Sequence, residues 1–176
     1  MSYYDIDDIL ADSEKLPCQF NHTIPGLGYL EGNPGKSIKS QTKIELPFWL
    51  AEILSILEIK TSTDVTTFIS LIDPDFLNEK VINAIKSDPE SLNLHKLSSQ
   101  YYKMIEKWGK LFNEPQLIEI VMEMLKSRAF KINNFANNFH QKHFNNELLY
   151  NLDEFEKKIF KDSTESNKLM RIWLKE

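Results

Sequence analysis

Three groups of residues in this 176-residue chain have types and spacings that could do chemistry. Gly32-Asn33-Pro34-Gly35-Lys36-Ser37 ends in the Gly-Lys-Ser of a phosphate-cradling loop, where backbone N–H groups and a lysine meet a nucleotide. That loop also needs a glycine at the position held here by Leu30, and a helix opening directly after it. Ile38 to Ile44 has loop and strand character instead, so a surface hairpin without nucleotide affinity is expected. His140 and His143 are spaced i, i+3 and could share a helix face as a metal pair, but no third ligand stands at a supporting spacing. Asp5, Asp7 and Asp8 resemble the start of a calcium loop that lacks its glycine. Cys18 is the lone cysteine, which excludes an intramolecular disulfide and a cysteine-built zinc site. Its nearest histidine, His22, leads into a proline turn, and no Gly-x-Ser-x-Gly elbow exists. No catalytic residue, cofactor or metal is therefore expected. The chain reads as a binding protein.

Composition bounds the class of binding. With 41% hydrophobic and 27% charged residues the chain falls among globular proteins rather than disordered ones. A single cysteine suits a reducing compartment, and the N-terminal Met1-Ser2-Tyr3-Tyr4-Asp5 lacks the pattern of a secretory signal. No apolar run is long enough to span a bilayer, so no membrane partner is expected. Residues 1–60 hold five Lys/Arg against nine Asp/Glu, and residues 61–176 hold sixteen against seventeen. That acidic balance lacks the footprint of a duplex-DNA binder, so any DNA contact is expected to be indirect or weak. The basic cluster Lys126, Arg128 and Lys131 reads as a solvated helix face.

The elements that must position these residues fall into two unlike parts. Four of the five glycines and four of the seven prolines lie in the first forty-seven residues, and none of either follows Pro115. Such punctuation suits short strands and defeats long helices. A short helix is expected at Asp5–Leu10, with Ile6, Ile9 and Leu10 as its apolar side, and strands at 18–20, 27–30 and 43–46. Pro47 opens a helix with an apolar stripe through Leu46, Trp49, Leu50, Ile53, Leu54 and Leu57. A polar linker at 60–64 and an extended segment at 65–71 lead into helices. One should start at Asp73-Pro74 and stop at Ser87-Asp88-Pro89; another is marked by Leu94, Leu97, Tyr101, Ile105, Trp108 and Phe112. From Leu117 to Phe139 apolar residues cover more than one face, which fits either the central helix of a bundle or a surface covered by another chain. The architecture is thus mainly α: a small β-rich unit over 1–60, then a helical bundle over 61–176.

Four N-terminal blocks sharpen this. Tyr3–Asp12, Leu16-Pro17-Cys18, Ile24–Leu30 and Lys43–Ala51 resemble, in order and spacing, the third Psf-type subunit family of the GINS complex. Lys80–Pro89, Leu92–His95 and Glu154–Trp173 are similar to it as well, with fungal character; the Asn-rich stretch 133–147 carries no family pattern. The resemblance implies a non-catalytic subunit of a nuclear heterotetramer, with a β-rich B domain preceding a helical A domain. Its implied partners are three other GINS subunits, the minichromosome maintenance helicase ring, a RecJ-like cell-division-cycle factor and the leading-strand DNA polymerase. The rival reading is an acidic helical adaptor of an unrelated nuclear assembly. Candidate partner contacts are Tyr4, Asp5, Asp7, Asp8 and Leu10 near the N-terminus, with Leu117, Ile120, Val121, Met124, Leu125 and Phe135 on the long helix. Gly26, Gly28, Pro47, Trp49, Leu50, Leu94, Tyr101 and Trp108 are expected to be structural.

Overall fold

The computed structural model describes residues 4–60, 65–137 and 149–175. They form a small β-containing unit followed by a helical one, and the chain divides into compact units Met1–Pro74 and Asp75–Glu176.

In the first unit, helix α1 (Ile6–Ser13) is opened by Asp5, whose Oδ1 accepts from the Asp7 amide at 3.2 Å. Strand β1 (Lys15–Phe20) sits between β2 (Lys43–Pro47) and β5 (Ile69–Leu71), both antiparallel to it. Leu16, Cys18 and Phe20 alternate into the core, as a half-buried strand requires. Pro17 lies mid-strand without an N–H to give, and pairing with β5 begins one residue later, at Cys18↔Leu71. β3 (Glu58–Lys60) and β4 (Val65–Thr67) make a second, two-stranded sheet. Because β5 pairs with β1, this unit runs on to Pro74 rather than stopping near residue 60.

Between β1 and β2 the strand expected at 27–30 is instead a 3-10 turn, Gly28–Glu31. Gly28 makes the difference. A Cβ there would lie 2.5 Å from the carbonyl oxygens of Asn33 and Lys36, so the chain coils tightly around it. The Gly28 amide donates to Lys36 and the Asn33 amide to Gly28, while Ile24 and Ile38 bridge the base of the loop. Helix α2 (Phe48–Ile56) follows β2 with Pro47 as its N-cap.

The second unit begins with a 3-10 turn, Asp75–Leu77, and α3 (Glu79–Ser87) starts only at Asn78, whose side chain accepts from the Lys80 amide. Asp73-Pro74 therefore precedes the helix instead of opening it. The expected helix through Leu94–Phe112 is broken at Ser98–Gln100 into α4 (Leu94–Leu97) and α5 (Tyr101–Phe112). Ser98 accepts from the Gln100 amide, the local competition by which serine interrupts helices. Asn113, in the left-handed region, turns the chain into α6 (Pro115–Asn137), and α7 (Glu154–Trp173) completes the bundle with Asp153 as N-cap. α6 is the hub, packing against α3, α5 and α7. Leu94, Tyr101, Met104, Trp108, Met124, Ile132 and Leu152 form the core around it.

Candidate interaction surfaces

Among the described residues, those with chemical potential do not assemble a reaction centre. Among the described residues, no group of three His, Cys, Asp or Glu side chains could hold a metal ion. His140 and His143 lie outside the described residues. The Cys18 thiol is buried in the sheet, which pushes its pKa up to about 11, so it is held as the unreactive thiol. Lys36 sits in the loop knotted around Gly28, and strand β2, not a helix, is the next element. That geometry offers no N-terminal amides to a phosphate.

The structure corrects the basic cluster at Arg128, while Lys126 is exposed. Arg128 is only 3% exposed, because it lies on the inward stripe of α6 with Leu117, Val121, Met124, Ile132 and Ala136. Its Nε donates to Glu156 Oε1 at 2.6 Å and its Nη2 to Oε2 at 2.8 Å. Nη1 donates to the carbonyls of Pro89 and Leu92, and the Tyr102 hydroxyl donates to Glu156 Oε1 at 2.7 Å. Burial alone would lower the Arg128 pKa; the hydrogen bond and charge of Glu156 outweigh it and hold the guanidinium ionised. Burial, reinforced by the Glu156 charge, raises the Tyr102 pKa, so the phenol stays a donor. This network ties α5, the 89–92 turn and the start of α7 to α6. It has no surface role. No sequence spacing linked Arg128 to Glu156, since the two lie on different helices.

The same helical phase reassigns the expected contacts on α6. Leu117, Val121 and Met124 face their own bundle, and Ile120, Leu125 and Phe135 are half-buried. The outward apolar residues are Ile118, Met122 and Phe130, the last 69% exposed. Periodicity missed them because both faces of this helix are apolar, so spacing alone leaves the phase undetermined. With α5 and α7, Ile118 and Met122 border an open cleft of about 320 Å³, lined also by Ile105, Val121, Leu125 and Phe155. Lys103, Glu106 and Lys110 stand at its rim. An apolar trough with charged edges is the form that accepts an amphipathic helix. The end of α7 is also apolar and open, with Leu169, Met170, Ile172 and Trp173 exposed.

In the first unit Tyr4, Ile6, Ile9 and Leu10 are exposed, whereas Ala11 is the residue α1 buries. Asp7 and Asp8 are half-buried in its first turn, where the helix dipole favours carboxylates. Trp49, read as structural, is 51% exposed, and Leu50 is half-buried. Phe48 and Ala51 supply the buried side of α2, so the helix is rotated from the stripe that the sequence suggested. Gly26, with φ of 83°, occupies a backbone region that favours glycine. Leu94, Tyr101 and Trp108 are core.

A small strand-bearing unit followed by a helical bundle built on one long central helix, with apolar faces turned outward, defines a subunit class. Residues 76–175 match the family described as the GINS complex protein helical bundle domain, and residues 4–56 match the PSF3 N-terminal domain. DNA replication complex GINS protein PSF3 of Debaryomyces hansenii is 58% identical over 99% of this chain and 98% of that protein. Its namesake in Candida albicans is 57% identical, over 98% and 97%. That of Saccharomyces cerevisiae is 41% identical, over 99% and 98%. The chain belongs to the PSF3 family of GINS proteins.

Proposed function

We infer that this chain is a non-catalytic scaffold subunit of a GINS heterotetramer that acts in nuclear DNA replication. Its similarity, over nearly the whole chain, to proteins named for the GINS replication complex carries the reading. The outward apolar residues of the helical unit support it, since contiguous apolar surface of this kind marks a binding site. In this reading the cleft bordered by Ile118, Met122 and Phe155 receives a helix of a sister subunit. The tetramer then holds the minichromosome maintenance ring and a RecJ-like factor in register and links them to the leading-strand polymerase. ATP hydrolysis is the ring's work, and this chain contributes rigid surfaces.

Co-expression with the other three GINS subunits, followed by native mass spectrometry, tests the reading. The expected species contains one copy of each subunit, and Met122→Lys removes this chain from it. A chain that stays outside any such complex, and sediments alone as a sharp monomer, overturns the proposal and favours an adaptor of another assembly.

A further inference from the structure

We draw no further inference here: the strongest candidate, the exposed apolar surface patch at the C-terminal end of α7 formed by Leu169, Met170, Ile172 and Trp173, carries none because nothing in the structure shows what covers it.

Discussion

Arg128 and Glu156 form a two-pronged ion pair at 2.6 and 2.8 Å, with both side chains almost wholly removed from water. Deleting one partner leaves the other buried and uncompensated, at a cost of about 3–5 kcal/mol. Glu156→Ala should therefore raise amide hydrogen exchange in α6 and α7 by two orders of magnitude or more within the assembled tetramer. Replacing both partners, as Arg128→Met with Glu156→Leu, should recover most of the loss, because desolvation of the pair is removed together with its attraction. Equal exchange in parent and Glu156→Ala would mean that the pair contributes nothing net.

Trp108 is buried on α5 with its ring 4.4 Å from that of Phe112. Trp108→Ala should cost about 3–5 kcal/mol as a large-to-small core change. That approaches the whole stability of an ordinary domain, so tetramer yield should fall too. A melting temperature within a degree or two of the parent would contradict the burial.

Those two sites show what was legible beforehand. Trp108 sits on a stripe stepping regularly from Tyr101 to Phe112, and period alone set its direction. Arg128 could not be read this way: a cation on an apolar helix looks like a surface residue until its carboxylate arrives from a helix distant in sequence. The division into a turn-rich and a helical part was visible in the placement of glycine and proline. Where the first unit ends was not, because the β1–β5 pairing that extends it joins Cys18 to Leu71. Spacing leaves the direction of Trp49 and Leu117 open for one shared reason. α2 and α6 are apolar on several sides, and only packing decides which side turns inward.

The loop around Gly28 separates two glycine-rich readings. A methyl at Gly28 meets backbone oxygens, which cannot swing away as a side-chain tip would. Gly28→Ala should cost more than about 2 kcal/mol, whereas Lys36→Ala on the exposed loop should stay within about 0.5 kcal/mol. Thermal unfolding of tetramers carrying each variant distinguishes them. ATP binding lost with Lys36→Ala would restore the phosphate-loop reading.

Asp153 provides the pH dependence. Its carboxyl is buried at the start of α7, where Oδ1 accepts from the Glu154 amide at 2.6 Å. Burial pushes its pKa up to about 7; the amides of Glu154, Tyr102 and Tyr101 oppose the rise, and the Glu156 charge adds to it. The folded state therefore binds this proton more tightly than the unfolded chain, whose carboxyl titrates near 4. Stability from this group is fully present below about pH 4 and is lost as pH rises towards 7, by up to about 1.4 kcal/mol per unit. Asp153→Asn keeps an oxygen for the cap and never ionises. Relative to the parent, the variant should gain up to about 3 kcal/mol between pH 5 and pH 8. Pulse proteolysis of parent and variant tetramers across a urea series at the two pH values measures that difference. A constant difference at both would mean that Asp153 is ionised throughout, with the α5 amides outweighing burial.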